Sequence, residues 1–299
     1  MMQTFSKPIT EIIRQRYSCR TYLERPIERD LQLRIAEYAT ALGLGPFGGT
    51  ARFELIAAEE DDRKALRQLG TYGFIKGASG FLVGATPDGE EKLEDFGWQM
   101  EHLVLLATDL GLGTCWLGGT FTKSSFARKI SARPDELIPA VVAVGYIARK
   151  PRGVDRLIRR GAQGDRRFGW ERLFFTESFD AVLHRPSAGE YSLPLEMVRL
   201  APSASNKQPW RIVCQGECWN FYLRRTPGYR ERLLNRLFTQ ADMQRIDMGI
   251  AMCHFELTAR ELGLTGEWGK LDPGLDLPDE FTEYSTTWHS RRLEIEQGD

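Results

Sequence analysis

Two stretches about 150 residues apart carry apolar residues at helical spacing and stop at the same Leu-Gly-Leu. GWQMEHLVLLATDLGLGTCW (Gly97 to Trp116) and GIAMCHFELTARELGLTGEW (Gly249 to Trp268) align without gaps, and nine of their twenty positions are identical. Each predicts a long, largely buried helix ended by a glycine, Gly111 or Gly263, that enters the left-handed region. His102 and His254 fall inside these helices and read as buried or interface histidines rather than catalytic ones. A gap-free match of this length marks an internal repeat.

A weaker echo accompanies the first. Ala51 to Ala57 and Pro209 to Gln215 each read as a strand after a turn-rich stretch. Pro139 to Tyr146 (PAVVAVGY) has so little polar content that it predicts a central strand. Each half therefore reads as helix, helix, strand, long helix, strand, an α+β layer arrangement. The Arg- and Gly-rich stretch from Arg149 to Gly169 reads as the linker, which puts the first half at 1–165 and the second at 166–299.

Length and charge narrow the function. A chain of 299 residues with 42% apolar composition buries a sizeable core. Its 40 Lys and Arg nearly cancel 41 Asp and Glu, leaving no net field to favour nucleic acid or an anionic membrane. A small-molecule ligand is the expectation. Five cysteines cannot all pair, and Cys214 and Cys218, the one close pair, lack a second ligand pair for zinc, so they are expected to be buried, structural and metal-free. The N-terminal stretch has no apolar run of signal-peptide length, and no window predicts a membrane span, so a reduced, cytoplasmic setting is expected.

Three segments carry candidate chemistry. Arg16-Tyr17-Ser18-Cys19-Arg20 sets two guanidiniums around a hydroxyl, a pattern suited to clamping a phosphate through charge-assisted bonds. Ala201-Pro202-Ser203-Ala204-Ser205-Asn206-Lys207-Gln208-Pro209-Trp210 crowds hydroxyls and amides onto one turn. Leu110-Gly111-Leu112-Gly113-Thr114-Cys115-Trp116-Leu117-Gly118-Gly119 runs from a helix end into a loop where Gly118 and Gly119 have no side chain to block a close approach. Together these resemble the nitroreductase family, in particular its tandem single-chain TM type. The resemblance implies a nitroreductase-like fold in which two half-repeats form an intramolecular pseudo-dimer, acting as a monomer.

It also implies bound FMN. Arg16, Ser18 and Arg20 would hold the phosphate, with Arg166 and Arg167 completing it. Pro202, Ser203, Ala204, Ser205, Asn206 and Gln208 would face the ribityl chain and the polar edge of the ring, and Leu117, Gly118 and Gly119 the flavin N5. Phe47, Tyr72 and Phe74 are candidate walls for a flat substrate, and Lys76 is a candidate polar contact.

The two halves depart from the family pattern in complementary ways. The first half carries Gly45-Pro46-Phe47-Gly48-Gly49-Thr50 where the Ser-Asn turn belongs; the second opens TESFDAVLHRPSAGEYSLP, without Arg-x-Ser-x-Arg. One composite site and one dead mirror site are expected. No triad, paired-carboxylate or Gly-x-Gly-x-x-Gly pattern appears, so the flavin would do the chemistry and NAD(P)H would stack on it directly. The implied activity is ping-pong reduction of a small nitroaromatic or quinone-type acceptor. Reductive dehalogenation, a flavin-binding sensor or carrier without turnover, and a structural relic without flavin are the alternatives.

Overall fold

A computed structural model describes residues 5–57, 71, 73–87, 92–119, 121–148, 166–229 and 241–291. Helices α1 (Ile9–Gln15) and α2 (Arg29–Ala41) precede strands β1 (Arg52–Ala57) and β2 (Gly80–Pro87). Helix α3 (Leu93–Asp109) follows, then β3 (Gly113–Leu117), α4 (Lys123–Lys129), β4 (Glu136–Leu137) and β5 (Val141–Gly145). The second half contains β6 (Phe174–Thr176), β7 (Ser178–Val182), α5 (Ser192–Leu200), β8 (Trp210–Gln215), β9 (Cys218–Arg224), α6 (Met243–Glu261), β10 (Thr265–Gly269) and β11 (Thr282–Arg291).

The repeat extends to sheet topology. One sheet runs β1-β2-β5-β3, with β4 on β2; the other runs β10-β11-β9-β8-β6-β7. Read from its β8 side, the second contains β8-β9-β11-β10, the same order as the first, and every neighbouring pair in both quartets is antiparallel. All five residues of β5 are buried, as its apolar run predicts, and it lies inside its sheet.

α3 and α6, the two repeated segments, pack against each other, each also touching strands of its own half. All but one of the 17 residues of α3 and 14 of the 19 of α6 are buried, which explains why neither is sharply amphipathic. Gly111 and Gly263, just past their ends, have φ of 79° and 76°. The helices approach through two glycines. A methyl group on Gly97 would overlap the Ile246 carbonyl oxygen, and one on Gly249 would overlap that of Glu94. Ile246 is the repeat equivalent of Glu94, so the contact is reciprocal, as at a two-fold dimer interface.

Two expectations need correction. The second half does not open with a pair of helices: β6, β7 and a 3-10 turn (Arg185–Tyr191) stand ahead of α5. β6 pairs parallel with β8 and covers a strand edge that would otherwise be open. Cys214 and Cys218 are half-buried rather than buried, and register pairs them with Trp219 and Gln215 respectively, which puts them on opposite faces of the hairpin. Residues 149–165 of the expected linker lie outside the described residues. Among the described residues all five cysteines are free thiols, and no helix is long and apolar enough to cross a membrane.

Candidate functional site

The Ser203 turn leaves the end of α5 and is held from beneath by α6. Asp247 accepts a 2.9 Å hydrogen bond from the Ala204 amide, and Ser203 Oγ accepts one of 2.9 Å from the Gln208 amide. Ser205, Asn206 and Gln208 have φ of 50°, 54° and 48°, three left-handed non-glycine residues within four. Such residues cost on the order of 1–3 kcal/mol each and persist where surrounding bonds over-determine them. Here the arm 166–168 supplies the bonds. Arg167 Nη1 donates to Asn206 Oδ1 at 2.9 Å, Asn206 Nδ2 donates to the Arg166 carbonyl at 2.7 Å, and the Phe168 amide donates to Gln208 Oε1 at 2.8 Å. The Asn206 and Gln208 side chains thus bind the arm and bring Arg166 and Arg167 against the turn.

Arg16 caps the end of α1, and the chain then runs beside sheet one. Ser18 bridges in parallel to Thr114 at the start of β3, and the Cys19 amide donates to the Thr114 carbonyl at 2.8 Å. On the other side Thr21 bridges to Lys76, whose amide donates to the Arg20 carbonyl at 3.0 Å. That contact places Lys76 beside the segment from Arg16 to Arg20; Tyr72 lies outside the described residues. Arg16 is only 8% exposed, and its Nε has no hydrogen-bond partner. Burial pulls its pKa down while the Glu101 charge holds it up. The Thr114 hydroxyl is likewise buried without a partner.

β3 joins this segment to the second half. Its first residues pair with Ser18, its last, Leu117, is buried, and Gly118 follows at the N-terminus of α6. Gly118 lies so close to the Met243 side chain that a Cβ there would overlap it. Met243 begins α6, and one turn later Asp247 holds the Ser203 turn. The route from Ser18 through Gly118 and Met243 to Ala204 is thus contiguous. Phe47 belongs elsewhere. Its amide and that of Gly49 donate to Asp95 at 2.9 and 2.6 Å, and Lys270 Nζ lies 4.4 Å from its ring centroid. Asp95 is the repeat equivalent of Asp247, so Phe47 occupies the mirror turn.

Asp247 was missed from the sequence, although Asp95-Phe96-Gly97 and Asp247-Met248-Gly249 extend the repeat upstream. Its second oxygen is buried without a partner, and burial pushes its carboxyl well above the usual range. A second missed group crosses the helix interface. His254 Nδ1 lies 3.0 Å from the Met197 carbonyl, so it carries a proton; Nε2 lies 2.9 Å from Glu101 Oε1. Trp116 donates its indole N–H to the other Glu101 oxygen at 2.8 Å. His254 and Glu101 are both fully buried. His102 differs: Nδ1 meets the Tyr38 hydroxyl at 3.0 Å, Nε2 has no partner, and burial lowers its pKa to about 3. Among the described residues no three side chains are grouped to hold a metal ion.

Two half-repeats, each a long helix on a four-stranded antiparallel run of sheet, with an arginine-bearing segment bridged to the sheet in one and a strained Ser-Asn turn in the other, define a single-chain, nitroreductase-like α+β protein. The chain belongs to the family described as "Putative TM nitroreductase", whose model matches residues 8–259. A solved structure described as a putative nitroreductase, from Thermotoga maritima MSB8, is 22% identical, with a TM-score of 0.59 over 95% of this chain and 94% of its own. A nitroreductase family protein from Clostridium difficile 630 is 21% identical over 49% of this chain and 88% of its own, TM-score 0.38. The NADPH:FMN oxidoreductase from Vibrio harveyi, complexed with NAD+, is 17% identical over 49% and 73%, TM-score 0.40. No curated protein matches the chain significantly.

Proposed function

We propose that the chain is an FMN-dependent NAD(P)H oxidoreductase that reduces a small flat acceptor of the nitroaromatic or quinone type, with one FMN held between the halves. The observation that carries this reading is the contiguous route from Ser18 through Gly118 and Met243 to the Ser203 turn. It unites the element that only the first half retains with the element that only the second half retains.

The residues present fit such a cofactor. A buried guanidinium with an unsatisfied N–H, beside a buried unsatisfied hydroxyl, is costly unless an anion arrives, and a phosphate dianion is the matching charge. Arg16, Ser18 and Arg20 would hold it, aided by Arg166 and Arg167. Bound FMN would supply the redox chemistry, accepting a hydride from the nicotinamide and passing electrons to the acceptor. Gly118 and Gly119 leave the backbone open to a flat ring. Ser203 and Ser205 offer hydroxyls from a turn already held in shape by Asp247 and the arm. Lys76, with Phe74 two residues before it, would border the cavity on the clamp side. Domain limits of 1–165 and 166–299 fit this division of labour, with β6 reaching from the boundary to cover the second sheet.

The test is the visible spectrum of the purified protein, followed by chromatography of the heat-released cofactor and initial-rate kinetics. Flavin absorption, released FMN and parallel double-reciprocal lines support the reading. A colourless protein that ignores added FMN refutes it, and intersecting lines refute the shared cavity.

A further inference from the structure

A cluster of cations lies behind the Ser203 turn, on the face of sheet two turned away from α6. Arg211, on β8, is 5% exposed. Its Nη1 donates to the carbonyls of Gln208 at 3.1 Å and Trp210 at 2.5 Å. Its Nε and Nη2 make no hydrogen bond among the described residues, yet neither is sealed from solvent. Strand register brings a second arginine to the same face: Arg211 pairs with Tyr222, and the Arg224 amide donates to the Pro209 carbonyl at 2.7 Å. A third arrives from the arm, because the Ile212 amide donates to the Leu173 carbonyl and sets Arg172 alongside. The Arg172 guanidinium stacks 3.7 Å above the Phe168 ring, and that of Arg211 lies 5.8 Å from the same ring.

The charges do not balance. Arg224 is paired with Asp279 at 2.6 Å, while no carboxylate pairs with Arg211 or Arg172 among the described residues. Burial, together with the charges of Arg224 and Arg172, brings the Arg211 pKa down to about 9. Across β8 the Tyr222 hydroxyl is buried without a partner. Capping two strand-end carbonyls explains one nitrogen of Arg211 and nothing of the convergence of Arg172 and Arg224. Two surplus positive charges with free N–H edges match a phosphoryl dianion. FMN carries a single phosphate, which the Arg16–Arg20 clamp already fits, so a second phosphoryl-binding group needs another ligand.

We propose that Arg211, Arg172 and Arg224 form a second anion subsite that binds a phosphoryl group of the nicotinamide dinucleotide donor. The identity of the donor rests on the flavin reading; the anion subsite itself does not. The test uses the full-length protein saturated with FMN, comparing wild type with Arg172→Met, which keeps an apolar stem on Phe168 and removes one exposed charge, and with Arg211→Met. The donor KM is expected to rise about tenfold in Arg172→Met, with kcat and FMN affinity unchanged. A rise for NADPH alone assigns the 2′-phosphate; a rise for NADH and NADPH alike assigns the diphosphate. Inorganic phosphate and adenosine 2′,5′-bisphosphate should compete with the donor in wild type and lose potency in the variants. An unchanged KM in Arg172→Met, or a loss of FMN affinity in place of a KM change, overturns the proposal. If the protein binds no flavin, calorimetric titration of wild type and Arg172→Met with adenosine 2′,5′-bisphosphate still decides the subsite: equal or absent binding refutes it.

Discussion

Replacing Gly97 by alanine isolates the packing on which the pseudo-dimer depends. On an isolated helix the change is favourable by about 1 kcal/mol, because alanine is the better helix former. In this protein the added methyl would overlap the Ile246 carbonyl oxygen and lie 3.0 Å from its carbon. The obstacle is backbone, which no rotamer change can clear. α3 and α6 would have to part by roughly 1 Å, and a gap of that size forfeits a quarter to a half of each van der Waals well along the crossing. Overpacking of this kind costs about 1–3 kcal/mol and sometimes more; because the obstacle is backbone the upper end applies, and the propensity gain of about 1 kcal/mol leaves a net loss of about 2 kcal/mol. Gly249→Ala should do the same, since its methyl would overlap the Glu94 carbonyl oxygen and lie 2.8 Å from the Glu94 carbon. Because the two glycines meet at one crossing, the double variant should cost clearly less than the sum. Urea unfolding of the four proteins measures all three quantities. Neutral or stabilising single variants, or full additivity, would refute the close reciprocal crossing.

Other outcomes follow from the site and its surroundings. Arg16→Ala should weaken FMN by about 2–4 kcal/mol, the scale for a charge-assisted bond made in a buried place; fluorescence titration reads it, and unchanged affinity removes Arg16 from the clamp. Flavin titration should reach one FMN per chain, with Arg20→Ala in the first half and Ser205→Ala in the second weakening that same flavin; two flavins per chain would contradict a composite site. His102 has its pKa lowered from 6.5 to about 3, so the unfolded chain takes up a proton that the folded chain refuses. Its contribution is intact above the unfolded value and is lost as pH falls from 6.5 towards 3, with a slope approaching about 1.4 kcal/mol per pH unit. Unfolding midpoints of His102→Gln should therefore fall less steeply than wild type between about pH 6 and pH 4; identical slopes would show that His102 is not held neutral.

What the sequence reveals here depends on how local the physics is. α3, α6 and their glycine stops are legible because helical periodicity and a left-handed terminus are written within a few residues. β5 is legible because a strand buried on both faces needs an unbroken apolar run. β6 was unreadable: Phe174–Thr176 gains strand character only by pairing with β8, about forty residues on. Arg16, Ser18 and Arg20 stand out only through the resemblance of Arg-x-Ser-x-Arg to the family's element, since taken alone the run reads as an exposed basic helix end. The engagement of Asn206 and Gln208 by the arm was not legible, because it depends on Arg166 to Phe168 returning to the turn across the fold. Asp247 was readable in principle from the repeated Asp-x-Gly. Arg211 was not, since nothing local shows that Arg172 and Arg224 join it.

The differences between the halves explain why this fold is served by one chain. In a homodimer a substitution appears twice, once on each side of the two-fold axis, so a residue that helps on one side must be tolerated on the other. Here each side of the helix crossing is different. Glu94 of α3 pairs with Arg245 of α6 at 2.7 Å, whereas their repeat equivalents, Ile246 and Leu93, are apolar. Glu101 meets His254, but the residue equivalent to Glu101 is Cys253, and His102 is accordingly left with Nε2 unsatisfied. Trp98 donates to Glu256 at 2.8 Å, where the mirror pair would be Ile250 and Val104. Two copies of the first half would bury Glu94 twice without Arg245, and two copies of the second would bury His254 twice without Glu101. Each such loss leaves an uncompensated polar group in a dry interface, which disfavours like halves pairing and favours the unlike pair. The same freedom reaches the turns: Gly45 to Thr50 lies under Lys270 with Phe47 filling its centre, while its equivalent keeps Ser203 and Ser205. Tethering lets one turn carry hydroxyls where the other carries glycine and Phe47, because the two no longer have to be the same sequence.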